Sequence, residues 1–546
     1  MRSPAGVIVH AHLVVATAIT IAAGGAAAIF AQARSAPDWT TQGADAQRTS
    51  WIRVDPFISP ENMSKFQFLW KLKVDNESRH GNALTPPVTL GRLMTFRGFK
   101  SLIFVGGSSN NVYAIDYDFG TLFWRNHHSY AAGEREYAGS PTCPGGMTLP
   151  LTRATSLAPV TQLGFFGFAR APRPAKGDVG EPGRGAPQLA EIAARQAARS
   201  AALGSADTAA SPPAAASARG TPPPAAAASV SPATRGERAP NFVFSVAADG
   251  LLRSLIPDTG DLAAVPARLL PANATATGLI WAHGFVYAAT SNTCGGAPTA
   301  VYAMDYLDDA RPVTTWDSGG APIVGLSLGT DGTLYAATGS GRSQYAQSIV
   351  ALDGSTLKVK DWLTHDAAFH SPPVVFTEGQ RTYVTAASAT QLYLLDASAL
   401  GGADHRTPLL VTPAATNVRF SHEGLGTWRD AAGSRWVLAA TAGEIAAYKM
   451  SESGTTPALV REWTSRALES PKAPVIVNGV VFAVSGGSDR AAVLYALDPT
   501  TGKDIWSSGN TITSPASAGL SAGTGQVFVV THDNTVWAFG IPLARN

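Results

Sequence analysis

Short apolar runs that alternate or run continuously, broken by turn residues every few positions, dominate the chain and predict strands rather than helices. Residues 66–74 alternate apolar and polar side chains, through Phe66, Phe68, Trp70, Leu72 and Val74, and read as a half-buried strand. Near the end, Gln526–Val530 and then residues 535–539 form a pair of apolar strands with nothing outside them. Between these two places one grammar recurs. A Ser/Thr-Pro or Pro-Pro approach leads into a Val/Ala/Gly-rich strand pair, and an Asp-containing turn leads into a strand that carries Trp.

The turn strand repeats with a defined plan. Ala496, Asp498, Gly502 and Trp506 stand at the same spacing as Ala114, Asp116, Gly120 and Trp124, and degraded copies end at Trp316, Trp362 and Trp463. A repeat of this kind, every four to five dozen residues, is the mark of a propeller of four-stranded blades. Unit starts near Thr85, Ser140, Gly278, Pro322, Ser371, Gly424, Ser470 and Ser514 predict eight blades. The last blade runs out before its outermost strand, so the strand at 66–74 is expected to complete it and close the ring. Closure of this kind removes two sheet edges that would otherwise pair with other chains. In each turn the Asp carboxylate is placed to accept backbone N–H groups, Gly502 to supply a positive φ, and the Trp to fill the seam against the next blade.

Composition adds a compartment and excludes a partner. The chain has 546 residues, 45% of them hydrophobic and 15% charged, enough apolar material for a large single core. With 41 basic and 39 acidic residues it carries no basic footprint of the kind nucleic acid requires. Arg2, an apolar run from about Val7 to Phe30, and the small-x-small Ala31-Gln32-Ala33 predict a signal peptide over residues 1–33, with an uncleaved anchor as the alternative. The mature domain is then 38–546, exported to the periplasm or the extracellular space. Cys143 and Cys294 fall in adjacent blades and are expected to form a disulfide, two buried thiols being the alternative. Residues 170–240 turn to Ala, Pro, Gly, Ser and Arg, which predicts a disordered insertion within the second blade, after its inner strands and before the strand at 242–244, with a partner-docking arm as the alternative.

The repeat resembles that of the pyrroloquinoline quinone (PQQ) propeller family, which holds quinoprotein alcohol dehydrogenases, polyvinyl alcohol dehydrogenase-like enzymes and an outer-membrane assembly lipoprotein without the cofactor. The opening Asp38-Trp39, Gly43-Ala44-Asp45, Arg48-Thr49-Ser50, Ile58 and Asn62 is similar to the start of the dehydrogenases. So is the stretch from Leu334 through Thr338-Gly339-Ser340 to Asp353, whose counterpart frames the cofactor. The resemblance implies an eight-bladed all-β propeller, with PQQ and calcium as the cofactors of any enzymatic member. It also exposes departures. Ser340 stands where the dehydrogenases carry a calcium-ligating Asn, Ala368 where they carry the Asp base, and no adjacent Cys pair is present.

A quinoprotein needs a base for the alcohol proton and a cation at the quinone carbonyl. Asp366 and His370 are the candidate catalytic residues, Ser340 and Arg342 the candidate cofactor contacts, and no metal ligand set is assigned. Two functions stay open: a non-catalytic or degraded scaffold that offers its funnel or rims to protein or polymer partners, and a PQQ-dependent alcohol or polyol dehydrogenase with an altered metal site. Convergence of these four residues on the ring axis, beside a flat slot bounded by a Trp, favours the enzyme; scatter onto the rims favours the scaffold. His127-His128 is expected in a loop after Trp124, and His422-Glu423 and His532-Asp533 at solvated blade turns.

Overall fold

A computed structural model describes residues 38–95, 98–130, 134–154, 241–414, 418–453, 456–487 and 489–542. The signal expected over 1–33 and the insertion expected over 170–240 lie outside the described residues. Among the described residues the strands form eight sheets, each built as a blade of a propeller, so the expected fold class holds. The innermost strands, in order, are Val88–Thr95, Thr152–Arg153, Ala276–Ala282, Ile323–Leu328, Val374–Glu378, Phe420–Arg429, Val475–Val477 and Ser521–Gly523.

Burial follows the position of a strand in its blade. Phe285–Thr290 and Thr333–Thr338, each second from the axis, are buried at every residue, because sheets pack on both of their faces. The outermost Leu122–His127 has no fully buried residue and turns polar after Trp124, with Arg125, Asn126 and His127. Hydrophobic clusters span neighbouring blades rather than single ones. Phe482 of blade seven and Trp537 of blade eight share one cluster, and Tyr287 of blade three and Leu326 of blade four share another.

Ring closure follows the expectation. Gln67–Lys73 pairs antiparallel with Thr535–Gly540 and supplies the outermost strand of blade eight. A second N-terminal strand, Trp51–Ile52, adds in parallel to Val475–Val477 of blade seven. Blade two departs from the expectation that its inner strands precede the insertion. Its innermost strand Thr152–Arg153 alone precedes the large connection, and Val243–Val246 follows it and pairs back. A two-residue strand with no apolar run around it has no periodic signal to read.

The turn grammar has a cross-blade purpose. Asp498 Oδ1 accepts the N–H groups of Thr500 and Thr501 at 3.0 and 2.8 Å, together with both hydroxyls. Asp353 does the same for Ser355 and Thr356. In three blades the turn at this place receives the Trp of the preceding blade. Trp463 donates its indole N–H to Pro499 O at 2.9 Å, Trp124 to Pro257 O at 2.8 Å, and Trp70 to Tyr117 O at 2.9 Å. The glycines of these turns, Gly502, Gly260 and Gly120, lie under the incoming rings. A Cβ on Gly260 would stand 2.7 Å from the Trp124 ring, closer than atoms in a packed interior approach.

Candidate functional site

Residues 38–52 form a strap that follows the axis from blade to blade and pairs with the innermost strands in turn. Trp39 exchanges hydrogen bonds with Thr89 of blade one, and Arg153 N of blade two donates to Thr40 O. Thr41 Oγ1 donates to Leu279 O of blade three, and Leu328 N of blade four donates to Ala46 O. Val375 N donates to Gln47 O, Thr427 N to Thr49 O, and Ile476 N to Ser50 O, reaching blades five, six and seven. Asp55 completes the circuit, because its Oδ2 accepts Gly525 N of blade eight at 2.7 Å. The N-terminal segment thus ties all eight blades together.

An axial cavity of about 40 Å³ remains beside the strap. The strap contributes Trp39, Gly43, Arg48 and Ser50, and the innermost strands and their approaches contribute small or apolar residues such as Gly278, Gly325, Gly424 and Ala473. Arg48 is 5% exposed, and burial pulls its guanidinium down to about 10, partly offset by the charge of Asp45. Its Nε donates to Leu326 O at 3.0 Å, and its Nη1 donates to Thr41 Oγ1 at 3.0 Å and to Gln42 O. Glu423 also lines the cavity and is bridged to Lys472 at 2.6 Å.

The four residues singled out in the sequence lie elsewhere. Ser340 and Arg342, in the connection between Thr333–Thr338 and Ser348–Asp353, are exposed. Asp366 is exposed in the connection from blade four to blade five, where its backbone carbonyl accepts Gln347 Nε2 at 3.0 Å. His370 is half-buried, its ring stacked on His422 with centroids 4.5 Å apart, and burial with the nearby charges of His422 and Arg419 holds it below the usual imidazole range. None of the four lines the axial cavity.

Two of the histidine expectations are overturned. His127 ends the strand Leu122–His127 instead of lying in a loop, and His128, just beyond it, is buried against Ser245 at 2.9 Å. His422 and Glu423 belong to the innermost strand of blade six, within an irregularity of its register, and not to a turn. Cys143 and Cys294 are joined by a disulfide with Cα atoms 5.6 Å apart, linking the segment before blade two to the Cys294–Gly296 turn of blade three. The strap is not foreseen from the sequence. The run of polar residues at 40–50, broken only by Gly43, Ala44 and Ala46, carries no strand period, and only the resemblance of Asp38-Trp39 and Arg48-Thr49-Ser50 to a family opening marks it out.

Ser340, Arg342, Asp366 and His370 lie outside the axial cavity and form no quinone or calcium site there. Calcium takes six to eight oxygen ligands, whereas no three His, Cys, Asp or Glu side chains converge among the described residues. An axial cavity of about 40 Å³ holds a few water-sized groups and not a tricyclic quinone.

Eight four-stranded blades define a β-propeller, the architecture the resemblance implied. Residues 443–541 match the family model described as outer membrane protein assembly factor BamB. Among solved structures, the chain is similar to the quinohemoprotein alcohol dehydrogenase of Comamonas testosteroni, at 15% identity and a TM-score of 0.51 over 93% of this chain and 81% of that one. It is also similar to quinohemoprotein alcohol dehydrogenase ADHIIG of Pseudomonas putida HK5, at 11% identity and 0.53 over 93% and 81%. A europium-containing methanol dehydrogenase gives 11% identity and 0.50 over 92% and 89%. At these identities the likeness is one of fold. The comparison with curated proteins found no match.

Proposed function

We propose that the protein is an exported propeller that serves as a binding scaffold for protein or polymer partners outside the cytoplasm, and not as a quinone-dependent dehydrogenase. One observation carries this reading: Ser340, Arg342 and Asp366 stand in solvent and outside the axial cavity, where a dehydrogenase would bring a base and a cation against one ligand. The match of residues 443–541 to an outer-membrane assembly factor model agrees with a binding role at the envelope. Export rests on the sequence of residues 1–33. Among the described residues no helix is long and apolar enough to cross a membrane.

Exposed apolar side chains give partners a place to bind. Met94 and Phe99 are exposed cross-strand neighbours at one end of blade one, and Phe119, also exposed, lies under Lys100. Purified protein titrated with PQQ and Ca²⁺, followed by quinone absorbance and by dye reduction with simple alcohols, tests the reading. The expected result is neither saturable binding at micromolar quinone nor alcohol-dependent reduction. Stoichiometric binding with turnover overturns the proposal.

A further inference from the structure

The most exposed apolar side chains of the ring gather at one end of blade one. Met94, Phe99 and Phe119 are 73%, 79% and 64% exposed, more than any other large hydrophobic side chain among the described residues. Met94 and Phe99 pair across the hairpin that joins Val88–Thr95 to Gly98–Gly107, and Phe119 stands in the turn between Asn111–Asp116 and Leu122–His127. Successive strands of the blade run antiparallel, so this hairpin and this turn lie at the same end. Lys100 joins them, with its Nζ 5.5 Å from the centre of the Phe119 ring and 2.7 Å from Asp116 Oδ2. A groove of about 470 Å³ continues the apolar surface toward blade eight, between Phe99, Phe57 and Ile541.

A cluster of large exposed apolar side chains on a folded surface marks a contact. Charge and chain path name what it contacts. Positions 92–100 hold Arg92, Arg97 and Lys100 and no acidic residue, against Asp116 and Asp118 in the neighbouring turn, so the two connections together are net positive. Asp38, where the described chain begins, accepts Gly91 N at 2.7 Å. Gly91 stands three residues before Met94 on the same strand, about 10 Å away. The apolar run from Val7 to Phe30 ends eight residues before Asp38, a separation that extended chain spans in at most about 28 Å. Chain that leaves a bilayer at Phe30 therefore reaches the ring beside this patch and presents it to the lipid.

We propose that this end of blade one docks on an anionic lipid bilayer, with Met94, Phe99 and Phe119 entering the boundary between headgroups and acyl chains and the basic residues of the hairpin meeting lipid phosphates. Apolar burial supplies most of the binding, and headgroup charge selects the surface. The inference adds a lipid surface to the partners of the scaffold reading. It fails separately from that reading, because quinone titration is blind to lipid and vesicle flotation is blind to quinone.

The test uses the chain from Arg34 onward, which keeps every strand of the eight sheets and lacks the apolar run, so that binding reports the patch alone. It is floated with vesicles of phosphatidylcholine, alone or mixed equally with phosphatidylglycerol. Saturable flotation with the anionic vesicles is expected, weaker with the neutral ones and weakened by salt. Phe99→Ser and Phe119→Ser are each expected to lower the partition about tenfold, the low end of what burying an aromatic side chain is worth. Arg97→Gln is expected to lower it about fivefold on anionic vesicles and to leave neutral ones unchanged. Val460→Ser, at an exposed apolar position of blade six, is expected to bind as the parent does. Phe99, Phe119 and Val460 are exposed, so unchanged melting of these variants separates lost binding from lost folding. Absent flotation, equal flotation on both vesicles, or flotation that neither Phe substitution weakens overturns the proposal. So does a dimer in sedimentation that those substitutions dissolve, since a second copy then covers the patch.

Discussion

Replacing Gly502 by Ala tests the coupling between the turn of blade seven and the Trp of blade six. Gly502 has a φ of +68°, and a Cβ there would be driven into the Trp463 ring. The left-handed conformation alone costs a non-glycine residue about 1–2 kcal/mol. Displacing a packed indole adds about 1–3 kcal/mol of overpacking, and more if Trp463 Nε1 loses its bond to Pro499 O. The total is about 2–5 kcal/mol for Gly502→Ala. Gly509 separates the two contributions: its φ is +54° and a Cβ added there would meet nothing within 4 Å, so Gly509→Ala carries the backbone cost alone. Denaturant unfolding of both variants, followed by Trp fluorescence, gives the difference. A double-mutant cycle of Gly502→Ala with Trp463→Leu is expected to show a coupling of about 1–3 kcal/mol, because the smaller side chain relieves the clash. Equal destabilisation of the two glycine variants, or additivity within about 0.5 kcal/mol in the cycle, refutes the docking argument.

Two further outcomes follow from buried groups. Reduction of the Cys143–Cys294 bridge, or replacement of both by Ser, is expected to remove about 2–5 kcal/mol, because the bridge spans 151 residues of chain and its loss frees the unfolded state; melting with and without reductant measures it. Burial, together with the charges of Arg253 and His127, pulls His128 down to about 3, so the unfolded chain binds one more proton than the folded one between that value and 6.5. Stability then rises with pH across this window and is lost as pH falls through it, by at most on the order of 5 kcal/mol from this group. His128→Gln is expected to flatten that slope in unfolding measured from pH 7 to pH 4, and an unchanged slope removes His128 as its source.

Much of the ring is legible in the sequence. The number of blades, the starting points of all but blade two, where Ser140 stands well before Thr152–Arg153, and the strand at 66–74 that completes blade eight follow from the repeat. Asp498 must cap its turn and Gly502 must turn left-handed, whichever blade receives the turn. Blade two is less legible, because Thr152–Arg153 is too short to carry a period. The site is the least legible part. The stretch around Ser340 resembles a cofactor frame in sequence, yet Ser340, Arg342 and Asp366 are exposed and His370 packs against His422.

The amino-acid sequence by itself therefore determined the closed ring, since turn chemistry, strand period and Trp spacing are local demands that most copies meet well enough to be counted. Only the tertiary structure decided what lies at the axis. There the strap at 38–52 makes its hydrogen bonds to strands up to several hundred residues away, and it brings Arg48 and Trp39 to one cavity. No periodicity along the chain encodes that meeting, because it depends on all eight blades being closed around the strap.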